Sequence, residues 1–487
     1  MNLDILYMVP LYFGNDIAPK FIHFSFALLT VWLLFSFLKK RLNTLYALTG
    51  ILFFLSFPII VKLSITVYVD LGLIFFSTAS LIYFLKWIEE NFKLRFLILS
   101  AVWCGLALGT KYNGLIVCFL LTLFVPFIYS RSSFSKSDAP SSFILHPSFR
   151  AAGYGAVFLF VALLVFSPWM IKNYIWTDNP IFPLYDNCFN RADDSARKIN
   201  HFTLRSVNFN ESSWQIALIP LRIFFQGRDG SPKYFDGKLN PLLFILPFFA
   251  FLGSGKNKAL MTEKKILLAY AVLFILFAFF TTDMRIRYIS PIIPPLVILS
   301  VFGLYNINTF FREQCSVLSG KAGLCAVFVA LCFLTGMNAV YITEQFRYVD
   351  PIPYITGKVG RDEYIERYRH EYPAIQFVNK NLPGSAKILG IFLGNRRYYS
   401  DREMFFDMNL FRKIVKQANS PEKIMSELNK KDITHILIRY DLFNKWCDTN
   451  FDDNSKKMLK IFFKEHLKLL FYKGGYGLSE IYNGKAP

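Results

Sequence analysis

The sequence predicts a polytopic α-helical membrane protein of about ten spanning helices, with a soluble α/β domain at its C-terminal end. Three observations lead to this fold class. The 487 residues are 54% hydrophobic and 18% aromatic, and the apolar residues are concentrated in long blocks. Basic residues gather in short loops between these blocks, as membrane topology requires. From about residue 361 the blocks end, and helix and strand signals alternate.

The apolar blocks are each close to the roughly 20 residues that cross the hydrocarbon core of a bilayer. The turn from Gly109 to Gly114 separates the fourth block from the fifth, because one helix over both would be too long for a bilayer. The fourth and seventh blocks are short. The predicted spans lie near 18–38, 44–63, 67–86, 96–110, 112–129, 150–171, 239–253, 265–281, 287–306 and 322–341. We therefore expect a membrane domain over 1–341, with a long loop at 172–238, and a soluble domain over 342–487.

The distribution of Lys and Arg predicts the orientation in the membrane. Every second loop is basic, whereas the opposite loops hold few cations, and basic loops face the cytoplasm. The N-terminus, the 172–238 loop and the soluble domain are then outside, which predicts a protein of the cytoplasmic (inner) membrane. The formal net charge of +20 follows from these loops and indicates anionic lipids as partners rather than nucleic acid. The basic set comprises Lys39, Lys40, Arg41, Lys86, Lys93, Arg95, Arg131, Lys136, Arg150, Lys256, Lys258, Lys264, Lys265, Arg312 and Lys321.

The C-terminal region reads as a small α/β domain. A charged helix is expected over 362–381, and the pair Pro383-Gly384 ends it. Ser420 and Pro421 are typical of a helix start, since Ser caps and Pro fits the first turn. Strands are expected at 387–393, 433–438 and 468–472, and a further helix at 452–467. The glycines after the first strand form no nucleotide-binding motif, so a lid or an acceptor platform is the expected role.

Ionisable residues at the predicted outer boundary are the candidates for function, because desolvating a charge is costly unless a partner or ligand compensates it. Asp70 begins the third span, where a helix N-terminus alone would also favour an acid. Lys111 lies in the outer turn GTKYNG and could equally be a lysine that extends its ammonium towards the interface. Lys172 leaves the sixth span among tryptophans, which an interfacial aromatic belt would also explain.

Arg285, Arg287 and Tyr288 precede the ninth span and the proline-rich string PIIPPL. Two arginines on the outer side oppose the positive-inside trend, so a counter-charge is expected there. A guanidinium binds phosphate oxygens through two parallel hydrogen bonds. Together with Asp70 and Lys111, the pair predicts a site for an anionic ligand at the outer membrane face.

These strings, in this order, resemble the multi-spanning GT-C glycosyltransferases, namely the bacterial relatives of protein O-mannosyltransferases and of the lipid A aminoarabinose transferase. The resemblance covers about residues 10–310 and includes the C-terminal outer domain. It implies a polyprenyl-phosphate sugar donor, a lipid, glycan or protein acceptor on the outer face, and inverting displacement at the anomeric carbon. Donor phosphate binding is then expected at Lys111, Lys172, Arg285, Arg287 and Tyr288. The matching strings are GNDIAPKFIHF, TVYVDLGLIFF, GLALGTKYNG, PWMIKNYIWTDNPIFP and RIRYISPIIPPL.

In the families that this chain resembles, the catalytic carboxylate sits in the first outer loop, between the first and second spans. Here only residues 1–17, with Asp4 and Asp16, precede the span at 18–38. The catalytic residue is therefore unknown. Asp70 is the candidate for a catalytic or metal-binding residue, and we expect it to shape the donor site or to hold a divalent metal. The sequence does not identify any other cofactor. We further expect the chain to be the downstream part of a longer protein that carries the missing span and loop.

Two other functional classes are considered. A lipid-linked sugar flippase or polymerase would share a basic outer cavity, but such proteins place charges at mid-membrane, where this sequence has few. A catalytically incomplete membrane scaffold would explain the absent carboxylate, although Lys111, Arg285 and Arg287 would then have no purpose.

Overall fold

The computed structural model of the protein describes residues 2–134, 147–190, 200–253, 257–314 and 317–482. The chain divides into two compact units, Met1–Tyr348 and Val349–Pro487. Each unit has its own hydrophobic core, one among the long helices of the first unit and the others around the sheet of the second.

The first unit is helical. Its longest helices are apolar along most of their length, and the described residues between α8 and α13 include four short helices. Three-residue 3₁₀ turns occur at Pro232–Tyr234, Ile286–Tyr288 and Ser290–Ile292. The helices are α1 Asn2–Tyr12, α2 Ala18–Arg41, α3 Thr44–Ser56, α4 Pro58–Ser64, α5 Asp70–Glu89, α6 Leu94–Leu108, α7 Gly114–Phe134, α8 Pro147–Thr177, α9 Asp186–Phe189, α10 His201–Phe209, α11 Ser213–Ala217, α12 Ile219–Arg222, α13 Leu242–Phe249, α14 Lys258–Thr281, α15 Ile293–Gln314 and α16 Val317–Val349.

The fold class is confirmed: the protein is a multi-pass membrane protein with a small sheet domain at its C-terminal end. Among the described residues, seven helices are long and apolar enough to span a bilayer, or eight if the bent pair α3 and α4 forms one span. Two of the ten predicted blocks form helices that are shorter than this length. The fourth block forms α6, with 15 residues, and the seventh forms α13, whose 8 residues extend about 12 Å.

Local chemistry explains where several of these helices begin and bend. Asn43 and Asn257 each cap the helix that follows by accepting a backbone N–H at 3.0 Å. Pro58 lacks an N–H and forces the residue before it out of the helical region, so Phe57 is extended. As a result, α3 and α4 meet at an angle of 65°.

The two ends of α5 differ in their chemistry. With 20 residues, α5 is about 30 Å long, which matches the hydrocarbon thickness of a bilayer. Asp70 lies at its first residue and Glu89 at its last. Glu89 accepts from Lys40 at 2.5 Å, and Arg41 pairs with Glu263 at 2.5 Å. The basic end of α2 is therefore a bilayer thickness away from Asp70.

The second unit packs helices around one five-stranded sheet with the order β2-β1-β3-β5-β4. β1 pairs in parallel with β2 and β3, while β5 is antiparallel to both β3 and β4. Its strands are β1 Lys387–Ile391, β2 Glu403–Phe405, β3 His435–Arg439, β4 Leu467–Lys473 and β5 Tyr476–Ile481. Its helices are α17 Ile352–Ile355, α18 Arg361–Tyr368, α19 Tyr372–Asn381, α20 Met408–Gln417, α21 Pro421–Asn429, α22 Tyr440–Asn450 and α23 Asp453–Glu465.

Three predicted strands appear as β1, β3 and β4, and Ser420 caps α21 as predicted, accepting from the Lys423 N–H at 3.4 Å. The single helix expected over 362–381 is instead two helices, α18 and α19. The edge strand β2 and the interior strand β5 were not predicted. β2 has only 3 residues, and β5 follows β4 through Gly474 and Gly475, both at positive φ, which form the tight turn of a hairpin.

Candidate functional site

Three separate segments of the first unit meet at the end of the bundle where α5 begins. They are the start of α5, the turn between α6 and α7, and the 3₁₀ turn Ile286–Tyr288 before α15. Asn113 ties two of them together, since its Nδ2 donates to the carbonyl oxygen of Tyr288 at 3.2 Å. Asp70, Lys111, Arg285, Arg287 and Tyr288, which the sequence singled out, are thereby brought into one cluster, called here the boundary cluster.

Asp70 and Lys111 form the ion pair at the centre of the boundary cluster. The Lys111 ammonium donates to Asp70 Oδ1 at 2.6 Å, and the Asp70 side chain is only 2% exposed. The Lys111 side chain is 20% exposed, and burial lowers the pKa of Lys111, although the carboxylate of Asp70 opposes that shift. The pair therefore has one buried member and one member that still reaches the surface.

Arg287 is the cation of the cluster that has no acidic partner. No carboxylate of a described residue lies within ion-pair distance of its guanidinium, and its Nε is buried without a hydrogen-bond acceptor. The guanidinium instead stacks on two rings, at 5.0 Å from the centroid of Tyr68 and 5.2 Å from that of Tyr288. A buried donor with no acceptor is rare in folded proteins, which makes Arg287 a strong candidate for binding an anion.

Tyr288 holds three cations around one ring. Besides Arg287, the Lys111 ammonium lies 4.7 Å and the Arg285 guanidinium 5.8 Å from its centroid. Arg285 also forms an ion pair with Asp283 at 2.9 Å and approaches Asp236 at 3.8 Å. Cation–π contacts stabilise positive charge without neutralising it. Three positive charges therefore lie close together around the Tyr288 ring. Carboxylates balance two of them, those of Lys111 and Arg285.

The loop segment before α13 contacts the turn that carries Arg285 and Arg287. The N–H of Ile286 donates to the carbonyl oxygen of Phe235 at 2.9 Å. Gly227 permits this close approach, because a Cβ there would lie 2.5 Å from the Gly237 carbonyl oxygen and 3.0 Å from Ile286. Asp236 extends these contacts, since it pairs with Lys62 at 3.2 Å. The sequence did not predict these contacts, because no local pattern connects the loop before α13 with a turn about fifty residues away.

His23 positions the start of α5 and was also missed. The ring is fully buried and makes two hydrogen bonds beside Asp70. Its Nε2 accepts from the Leu71 N–H at 3.0 Å, and its Nδ1 lies 2.8 Å from the Thr66 carbonyl oxygen, to which it donates in the matching tautomer. A histidine inside an apolar span is itself an unusual feature, and that signal could have identified it.

Lys172 lies on α8 and is placed apart from these contacts. Its ammonium is 5.2 Å from the Trp169 ring and 4.4 Å from the Trp176 ring. Among the contacts of the described residues, none joins Lys172 to the boundary cluster. The neighbouring Asn173 does contact the turn between α6 and α7. Its Nδ2 donates to the hydroxyl of Tyr112, the residue after Lys111, at 3.0 Å.

The residues present do not fit the divalent metal that the sequence left open at Asp70. Hard cations are bound by several oxygen ligands, among which carboxylates predominate. Within the described part of the chain, Lys111 is the one side chain that hydrogen-bonds to the Asp70 carboxylate. No group of three His, Cys, Asp or Glu side chains arranged for a metal occurs within the described ranges.

Comparisons with known proteins bear on both the N-terminal segments and the whole fold. Residues 13–172 match the family described as dolichyl-phosphate-mannose-protein mannosyltransferase. No curated protein sequence matches the chain. The solved structure of ArnT from Cupriavidus metallidurans bound to undecaprenyl phosphate is similar, with a TM-score of 0.51 and 14% identity over 98% of this chain and 87% of that chain.

Two further structures are similar to a lesser degree. ArnT from Cupriavidus metallidurans in the apo state gives a TM-score of 0.50 and 12% identity, over 95% of this chain and 83% of that chain. The Archaeoglobus fulgidus oligosaccharyltransferase gives a TM-score of 0.49 and 11% identity, over 98% of this chain and 63% of that chain. The N-terminal third of the chain is thus similar to the mannosyltransferase family, and the fold of the whole chain is similar to that of ArnT.

Proposed function

We propose that this protein transfers a sugar from a polyprenyl-phosphate donor to an acceptor on the outer face of the cytoplasmic membrane. The observation that carries the proposal is Arg287, a cation at the membrane boundary with a buried N–H and no acidic partner among the described residues. A phosphate oxygen would supply the missing acceptor. The solved ArnT structure with undecaprenyl phosphate supports a lipid phosphate as the ligand class.

The charge balance of the boundary cluster favours a donor with one phosphate. Lys111 is matched by Asp70, and Arg285 is matched by Asp283, so Arg287 contributes one uncompensated positive charge. A sugar joined to a lipid through a single phosphodiester carries one negative charge, whereas a diphosphate would leave a second charge unmatched at a site that is partly shielded from water.

The pairing with Asp70 does not prevent Lys111 from binding the same phosphate. An ammonium has three N–H donors, and Asp70 accepts one of them. Asp70 thus holds Lys111 in place, and we assign it this positioning role rather than that of general base. Held by Lys111 and Arg287, the phosphate is stabilised as negative charge develops on the oxygen that leaves.

In the reaction, the acceptor oxygen forms a bond to the anomeric carbon while the bond from that carbon to the phosphate oxygen breaks. The bonding electron pair leaves on the lipid phosphate, the acceptor proton passes to a base, and the configuration inverts. A lipid, a glycan or a protein can supply the acceptor hydroxyl. We expect the C-terminal unit to lie outside the cytoplasm, because the basic residues at the end of α2 and in every second predicted loop favour the cytoplasm.

A binding experiment tests the donor site directly. The full chain in lipid nanodiscs is titrated with a panel of polyprenyl-phosphate sugars, and Arg287→Ala is compared with the wild type. Loss of one partner of a buried charged hydrogen bond costs about 2–5 kcal/mol, so donor affinity should fall about thirtyfold or more. Arg287→Lys keeps the positive charge but lacks the planar guanidinium with its paired N–H donors. This variant should therefore recover part of the lost donor affinity.

Arg228→Ala serves as the matched control, because Arg228 is an exposed arginine of the outer loop that should leave donor affinity unchanged. Equal donor affinity in Arg287→Ala and in the wild type would refute the site. Donor binding accompanied by lipid translocation, with no transferred sugar for any acceptor class, would favour a flippase instead.

A further inference from the structure

A groove opens at the end of the bundle opposite the boundary cluster, between α3, α15 and α16. Because α15 has 22 residues, its last turn lies about 30 Å from the turn that carries Arg287. The groove has a volume of about 920 Å³. It is lined by Asn43, Leu45, Tyr46, Thr49, Leu304, Tyr305, Asn308, Thr309, Arg312, Val327, Phe328 and Leu331.

The lining residues follow helical spacing and change from apolar to polar along the groove. On α15, Leu304, Asn308 and Arg312 are each four residues apart and therefore share one face. Leu304 is the deepest, and Arg312 is at the helix end where it meets the headgroup region. Opposite them, Val327 and Leu331 of α16 share a face that is entirely apolar. One end of the groove thus suits hydrocarbon and the other a charged group.

The helix α16 has an exposed apolar face beside the groove. Phe328 is 66% and Phe333 is 55% exposed. The other face of α16 packs on the bundle, since Val327 and Leu331 contact the hydrophobic core and Asn338 donates to Ser56 Oγ at 2.8 Å. In a bilayer a groove beside such an apolar face is filled by lipid, because water in it would be costly.

Two polar groups on the last turns of α15 lack a hydrogen-bond or ion-pair partner at one of their atoms within the described ranges. Arg312 is exposed and has no carboxylate of a described residue within ion-pair distance. Asn308 Oδ1 is buried and accepts no hydrogen bond, while its Nδ2 donates to the Tyr46 hydroxyl at 3.1 Å. The groove therefore offers a cation that has no counter-charge among the described residues.

We propose that this groove is a binding site for a glycerophospholipid with a net negative charge, such as phosphatidylglycerol. The lipid phosphate binds Arg312. One acyl chain lies along Val327, Phe328 and Leu331. This site is separate from the boundary cluster, and the proposal stands whether or not the chain transfers sugar.

The test uses the delipidated full chain in detergent, with lipid binding followed by native mass spectrometry. Phosphatidylglycerol should bind about tenfold or more tightly than phosphatidylcholine, the range expected for a hydrogen bond to a charged group. Arg312→Gln should abolish this preference. Thr49→Phe, which fills the groove from α3, should remove one bound phospholipid of either kind.

Arg95→Gln is the matched control, since Arg95 is an exposed arginine at the same basic end and should retain the wild-type preference. Glycerol 3-phosphate should not compete, because it lacks the acyl chains. An unchanged preference in Arg312→Gln, or an unchanged number of bound lipids in Thr49→Phe, would overturn the proposal. All three positions are partly or fully exposed, so the variants are expected to fold.

Discussion

Breaking the ion pair between Asp70 and Lys111 should destabilise the first unit unequally, depending on which partner is removed. In Lys111→Met the Asp70 carboxylate remains, with a side chain only 2% exposed. Removing one member of a buried pair costs about 3–5 kcal/mol. The start of α5 offsets about 1 kcal/mol of this, because a helix N-terminus favours a negative charge. We therefore expect a loss of about 2–4 kcal/mol.

Asp70→Asn should cost less, on the order of 1–2 kcal/mol, because the remaining ammonium is 20% exposed and can reach water. In the double variant no unpaired charge remains. Its loss should therefore be smaller than the sum of the two single losses by about 1–3 kcal/mol. The difference is the coupling energy of the pair.

The assay is equilibrium unfolding of all four proteins in one detergent, followed by tryptophan fluorescence and analysed as a double-mutant cycle. Asp283→Asn provides a control, because Asp283 pairs with Arg285 at a more exposed position, 43% for its side chain. It should cost no more than about 1 kcal/mol. Additive losses at Asp70 and Lys111, or equal losses in the two single variants, would refute the reasoning.

Three further predictions follow from the same structure. His23→Ala should lower stability by about 1–3 kcal/mol, measured by thermal unfolding, since it leaves the Leu71 N–H and the Thr66 carbonyl without partners; an unchanged melting temperature would contradict the positioning role. A reporter enzyme fused after residue 345 should be active only outside the cytoplasm and one at residue 140 only inside it, and the reverse pattern would overturn the proposed orientation. Ser420→Ala should destabilise the second unit by about 1 kcal/mol through loss of the α21 cap, whereas Ser426→Ala within α21 should not.

The sequence by itself determined the fold class and most of the residues at the boundary cluster. The long apolar blocks predict spanning helices, since only helices satisfy their own backbone inside a bilayer, and the changed pattern after residue 361 predicts a separate α/β domain. Asp70, Lys111 and the Arg285–Arg287 string could be found because a charge at a membrane boundary breaks an otherwise apolar pattern.

Only the tertiary structure decided which of these charges are balanced. Lys111 and Arg285 have carboxylate partners, whereas Arg287 stacks on Tyr68 and Tyr288 without one among the described residues. Ion pairing depends on distances between segments that are far apart in sequence, and spacing along the chain does not encode them. For the same reason the sequence did not predict the hydrogen bond between His23 and Leu71 or that between Ile286 and Phe235. The two residues of each pair come together only when the helices pack.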